Sequence, residues 1–347
     1  MNRFIEILLS SSATVSTILI CAIAGYLLRR FELVPKKFSV VLSKMVFYAF
    51  LPCMLFSKTA SSITPERIND LWIFPVSFLL FMGTGMILGC VLVKIIKPKP
   101  EFIRPIIAST SFSNCGFLPI SLMMTACNVF PALSDNIMAP KDSITYISAY
   151  LLTATSFLWT LGYAIISGRS HRDFIWRNLI TPPIIGLLLG TTIGLIPAVS
   201  QYLILGHGFL YPIFGATEIL SQGTVPCVLL LLGAGLADSP KQDRICIKSV
   251  SSVICVKLII IPVIGLFYIY YLRRWGILTG GLLPALVLAV EAAMPPANNL
   301  IVMASLSESK ASSGLAHIMF WSYLTSILTI TLVIAAAIYL FSQPVGG

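Results

Sequence analysis

The stretch EAAMPPANNLIVMA, residues 291–304, lies inside an apolar run long enough to cross a bilayer. Pro295 and Pro296 each lack the backbone N–H that an α-helix needs, so no helix passes through them unbroken. Asn298 and Asn299 follow at once, and Glu291 stands one turn ahead. In hydrocarbon, each freed carbonyl and each amide side chain costs several kcal/mol unless another group answers it. A span built to break at its centre therefore predicts something at the break that repays the loss.

The rest of the chain sets the medium. Of 347 residues, 57% are hydrophobic and 10% charged, with a mean hydropathy of +0.93. That is too little charge to cover a soluble surface, so the chain is read as an all-α integral membrane protein in contact with the lipid bilayer. At roughly 20 residues per span there is room for ten helices. Hydropathy and breakers put them near 7–28, 39–58, 71–96, 102–127, 143–167, 180–198, 213–236, 247–272, 281–306 and 314–341. Fifteen of the 23 Lys and Arg fall in or beside the loops on one face of this arrangement and six on the other, with Lys44 and Lys257 inside helices. The positive-inside rule makes the first face cytosolic and both termini extracytosolic, as in a plasma or bacterial inner membrane. The net charge of +10 is scattered over short loops, which excludes a nucleic-acid stripe. The eight cysteines and the histidines 171, 207 and 317 have no metal-ligand spacing. No cofactor is expected, nor is an enzyme, because HExxH, GxSxG and paired intramembrane aspartates are all missing.

Several motifs recur. LPCMLF (51–56) is answered by VPCVLL (225–230), 174 residues on; RPIIAS (104–109) by LPALVLA (283–289); SAYLLTATS (148–156) by WSYLTSILT (321–329). Their shared order predicts two five-helix halves, 1–167 and 180–347, joined by a short cytosolic linker at 168–179. Five is odd, so the second half runs inverted, the arrangement of secondary transporters with discontinuous helices. The fourth span breaks as the ninth does. SFSNCGFLPIS (111–121) sets Asn114, Cys115, Gly116 and Pro119 at mid-membrane. Crossing at their breaks, helices 4 and 9 would bring positive half-helix ends to one point, a site for an anion. Asn114, Asn298 and Asn299 supply amide donors suited to a carboxylate. Glu291 and Lys257 are the intramembrane charges and hence the ion-coupling candidates. The carboxyl could carry a proton, hold sodium or make a structural hydrogen bond, and Lys257 could pair with it; Lys44 is expected to snorkel to an interface.

With VLSKMVFYAFLPCMLF, SNCGFLPIS, ITPPIIGLLLG, VPCVLLLLGAGLA and AAMPPANNLIVMA, nearly the whole chain resembles the auxin efflux carrier family of plant PIN and PIN-like carriers and bacterial organic-acid permeases. The resemblance implies ten helices in an inverted repeat, crossing broken helices 4 and 9, and elevator-type alternating access. It also implies a homodimer on a scaffold of helices 1, 2, 6 and 7, with helices 3–5 and 8–10 moving. It implies carboxylate substrates such as auxin, malate or malonate, and assigns Asn114, Pro119, Pro295, Pro296, Asn298 and Asn299 to the two breaks. The chain departs from the larger plant carriers in lacking their long central loop and their acidic residue in helix 3, so their proton relay does not transfer. An ion-coupled symporter of another substrate class, a channel and a receptor remain the alternative readings.

Overall fold

The structure, a computed structural model, describes residues 20–35, 37–62, 71–130, 133, 136–168, 182–204, 211–237, 245–307 and 311–342. Residues 7–19 of the expected first span, 180–181 of the sixth, and 169–179 of the expected linker lie outside them. Among the described residues every regular element is helical. We label them α1 (20–30), α2 (38–62), α3 (Ile73–Ile96), α4 (Pro100–Ser111), α5 (Phe117–Val129), α6 (139–167) and α7 (Pro182–Gly194). Next come α8 (Pro197–Ile204), α9 (Tyr211–Gln222), α10 (Thr224–Ala237), α11 (247–274), α12 (Leu282–Ala293), α13 (Asn299–Leu306) and α14 (Ala311–Phe341).

Six described helical stretches are long and apolar enough to cross a bilayer: Phe38–Ser61, Ile73–Ile96, Asp142–Ser167, Tyr211–Ala234, Ile247–Arg274 and Gly314–Phe341. At 1.5 Å per residue the 24-residue α3 reaches ~36 Å, more than the hydrocarbon thickness. It exposes Val76, Leu79, Leu80, Ile87, Val91 and Ile95, an apolar face that only lipid or protein can cover. By contrast α12 is buried on all sides from Leu283 to Ala293. A helix apolar around its whole circumference belongs in the interior, and α12 packs against α14, α11 and α6.

Local chemistry explains the boundaries. Pro100 begins α4 where a missing N–H costs nothing, and Glu101 sits favourably in its first turn. Lys97, in the left-handed conformation, closes α3 just before. The sixth expected span, 180–198, is shorter than anticipated: α7 stops at Gly194 and Pro197 starts a separate α8, since proline cannot continue the preceding hydrogen-bond ladder. The seventh is interrupted at Gly223 between α9 and α10. Wide π turns interrupt α2 at Val46–Phe50, α6 at Leu158–Gly162 and α11 at Val256–Ile260.

Among the described residues, several helix pairs approach to backbone contact through glycine. A Cβ at Gly186 of α7 would fall 2.3 Å from the Pro52 carbonyl oxygen of α2, and one at Gly190 would fall 2.5 Å from that of Phe56. Similarly, a Cβ at Gly25 of α1 would fall 2.3 Å from the Leu230 carbonyl oxygen of α10. In a membrane, where apolar side chains gain little by leaving lipid, such close packing is a main source of helix association.

Candidate functional site

Both breaks have plain causes. To continue α12, residues 295 and 296 would have to donate N–H groups to the carbonyls of 291 and 292, and neither proline has one. Pro295 also forces Met294 into an extended conformation, with φ −68° and ψ 139°. In α4, a cluster of hydroxyls leads into the break. Thr110 bonds back to the carbonyls of Ile106 and Ile107, and Ser111 to that of Ile107. Such back-bonding competes with the regular ladder, and at Phe112 the chain turns extended. Gly116, at φ −118° and ψ −93°, then opens α5.

The two broken segments answer each other. The Asn114 backbone N–H donates to the Pro295 carbonyl at 2.8 Å, and the Ala297 N–H to the Phe112 carbonyl at 3.0 Å. Ser113 and Pro296 thereby form an isolated antiparallel bridge, the only such pairing among the described residues. This contact satisfies backbone groups that hydrocarbon would leave stranded. It also corrects one part of the expectation, since the Asn114 and Ala297 N–H groups are spent on the bridge and not open to a ligand. In the first turns of α5 and α13, the Ile120 N–H bonds the Gly116 carbonyl and those of Leu300 and Ile301 bond the Ala297 and Asn298 carbonyls, while Pro119 has none, so what remains is the few N–H groups ahead of them.

Tyr323 of α14 ties the bridge from behind. Its hydroxyl accepts from Asn114 Nδ2 at 2.7 Å and donates to the Pro296 carbonyl at 3.3 Å. The Asn114 Oδ1 in turn accepts from the Gly116 N–H at 3.4 Å. Asn114 is thus oriented by both neighbours. Asn298 differs: its Oδ1 is buried without a hydrogen-bond partner.

The bridge forms part of the wall of a cavity of about 780 Å³, its open mouth included. Ser113, Asn114, Cys115, Gly116, Asn298 and Asn299 line its polar part. The apolar part comes from α2 (Leu51, Leu55), α3 (Phe78), α6 (Leu151, Leu158) and α10 (Val228, Leu229). Thr155 and Thr224 also line it, and the Thr224 hydroxyl is buried with no partner. Among the described residues, no Lys, Arg, Asp or Glu belongs to the lining.

Of the residues singled out in the sequence, Asn114, Cys115, Gly116, Asn298 and Asn299 therefore meet at one cavity. Pro295 and Pro296 do not line it; they act through the backbone, one carbonyl accepting from Asn114 and the other from Tyr323. Pro119 lies inside the first turn of α5, where its missing N–H is harmless, and it is not the breaking residue. Glu291 and Lys257 are fully buried, at 0% exposure, outside the cavity lining. They are not hydrogen-bonded to each other: Lys257 Nζ donates to the Thr110 carbonyl at 3.2 Å, and both Glu291 carboxyl oxygens lack a partner. Lys44 is exposed on α2. Tyr323, Thr155 and Thr224 were not anticipated. The available signal was the place of Tyr323 in the repeat motif WSYLTSILT of the tenth span, where it is one of several hydroxyls.

A family model described as membrane transport protein matches residues 10–174 and 169–334. The chain belongs to this family, that of the auxin efflux carriers. Among its relatives, PIN-LIKES 5 of Arabidopsis thaliana is 25% identical over 87% of this chain and 90% of its own length. PIN-LIKES 7 of the same plant is 24% identical, covering 94% of this chain and 97% of its own length. An uncharacterized transporter of Saccharomyces cerevisiae is 23% identical, with 94% of each chain covered. Membership and the apolar helices together make this an integral, multi-pass membrane protein of a transport family.

Proposed function

We propose that the protein is a secondary active transporter that carries a small organic anion, a carboxylate with an apolar body, by elevator-type alternating access. The observation that carries this reading is the composition of the cavity. One part is the paired break, where the N-terminal ends of α5 and α13 favour negative charge and the amide groups of Asn298 and Asn299 stand in the wall. The remainder is aliphatic and aromatic. With no lysine or arginine among the described lining residues, a second carboxylate would find no counter-charge there, so monocarboxylates are favoured over malate or malonate.

Two features support the inverted repeat of ten spans. The carbonyls met by Gly190 and Gly25 belong to Phe56 and Leu230, which stand 174 residues apart, the same offset as LPCMLF and VPCVLL. The contact of the sixth span with the second thus has a counterpart in the contact of the first with the seventh. The cavity, moreover, lies between α2 and α10, of the scaffold group, and α3 to α6 and the α12–α13 break, of the moving group. A site on the boundary of the two groups is what an elevator requires. The cytosolic positive loops, the extracytosolic termini and a homodimer on the scaffold complete the reading. Glu291, a turn before the break, is the place where a proton or sodium ion would load as coupling ion.

The test is uptake into proteoliposomes by the purified protein, with labelled indole-3-acetate, benzoate, malate and malonate and the matching amides as competitors. Saturable uptake and counterflow of the monocarboxylates, with no competition by amides, is the expected result. Equal competition by the amides would refute an anion site, preference for the dicarboxylates would refute the apolar-body assignment, and unsaturable flux would favour a channel.

A further inference from the structure

Lys257 is a long basic side chain with 0% exposure in the middle of a membrane span, and the cavity does not use it. A methionine would fill similar space without the cost of burying an ammonium. Its ammonium donates to the Thr110 carbonyl, 3.2 Å away. That carbonyl lies in the last turn of α4, a helix that ends inside the protein and leaves its final C=O groups without intrahelical donors. The Ala108 carbonyl is answered by the Phe112 N–H. The Thr110 carbonyl is closed in by α3, where a Cβ on Gly85 would lie 2.2 Å from the oxygen. The partial negative charge of the α4 terminus thus converges on a spot that only a small cation or a strong donor can satisfy. Lys257 stands in the π turn Val256–Ile260, and π turns recur where a helix re-aims a side chain for a functional purpose.

We propose that Lys257 is a tethered cation: its ammonium holds the carbonyl end of α4, a position that an exchangeable monovalent cation would otherwise have to fill. Two other roles open to a buried lysine fit less well: Lys257 does not reach the cavity as a substrate ligand, and its charge acts on Glu291 only through space, with no hydrogen bond between them. The consequence for transport rests on the carrier reading above. A positive charge behind the break offsets the charge of a bound anion. The first measurement needs no substrate, so it judges the inference even if that reading fails.

The measurement is thermal unfolding of the full chain, purified in detergent, in sodium, choline or ethylammonium chloride at equal ionic strength. Wild type should unfold at the same temperature in all three. Lys257→Ala should unfold lower and recover in a saturable manner with ethylammonium or sodium, while the bulkier choline has no effect. Lys257→Met, which fills the space without a charge, should be destabilised and unresponsive. Where Lys257→Ala fails to fold, Lys257→Arg retaining stability that Lys257→Met loses supports the proposal. It is overturned by Lys257→Met as stable as wild type, by Lys257→Ala responding to no small cation more than to choline, or by a wild type that sodium already stabilises. In proteoliposomes, replacing choline by sodium should raise indole-3-acetate uptake by about tenfold in Lys257→Ala and leave wild type unchanged.

Discussion

Replacing Tyr323 by phenylalanine removes one oxygen atom and is expected to loosen the whole site. That hydroxyl accepts from Asn114 Nδ2 at 2.7 Å and donates to the Pro296 carbonyl at 3.3 Å, and the Tyr323 side chain is fully buried. The ring remains, so packing is preserved and only the two hydrogen bonds go. A buried hydrogen bond contributes about 0.5–1.5 kcal/mol net, and a polar group left buried and unanswered costs about 1–3 kcal/mol. The Pro296 bond is long and weak, so most of the loss falls on Asn114, which keeps its bond from the Gly116 N–H. A destabilisation of about 1–3 kcal/mol follows, seen as a fall of several degrees in unfolding temperature in detergent. Because Asn114 then loses its fixed orientation, carboxylate affinity should fall as well, by about tenfold for each 1.4 kcal/mol that reaches the ligand. Unfolding temperature and equilibrium binding are measured on the same preparation. A variant with wild-type stability and affinity would refute the idea that the hydroxyl holds the two breaks together, and full retention of affinity despite lost stability would remove Asn114 from the binding surface.

Asn298→Ala, which removes an amide donor from the cavity wall, should lower affinity by about 1–3 kcal/mol with a smaller fall in unfolding temperature than Tyr323→Phe, as titration and a thermal melt will check. Glu291→Gln should still bind the anion but lose any response of uptake to an imposed proton gradient, since a permanently neutral side chain can no longer couple the two ligands; a variant that follows the gradient as wild type does would make Glu291 a packing residue. Gly186→Leu should prevent α7 from seating on α2, since even its Cβ would fall 2.3 Å from the Pro52 carbonyl, and monodisperse yield in detergent should collapse, whereas Gly83→Leu on α3, with open space around its Cβ, should be tolerated.

Much of this protein was legible in its residues because a bilayer permits few solutions. Low charge and long apolar runs require helices, and a proline pair beyond a helix's first turn breaks it, since the residues that should donate there have no N–H. That is why Pro295 and Pro296 marked a break without any knowledge of what lay opposite, and why Asn114, Cys115, Gly116, Asn298 and Asn299 could be singled out from their position beside such breaks. Other features depend on which atoms meet across the fold. That Phe112 and Pro295 carbonyls take the Ala297 and Asn114 N–H groups, leaving fewer donors for a ligand, is a matter of register between segments some 180 residues apart, which no local pattern encodes. Tyr323 entered the site for the same reason: its hydroxyl matters only because α14 carries it to the bridge. Lys257 and Glu291 were conspicuous as charges in apolar helices, yet only the tertiary structure separated them, giving the ammonium the Thr110 carbonyl and leaving the carboxyl without a partner. Composition and periodicity act residue by residue along the chain and therefore determine the medium, the helices and their breaks; hydrogen-bond partners are chosen by distance and angle in three dimensions, and so the site's wiring belongs to the fold alone.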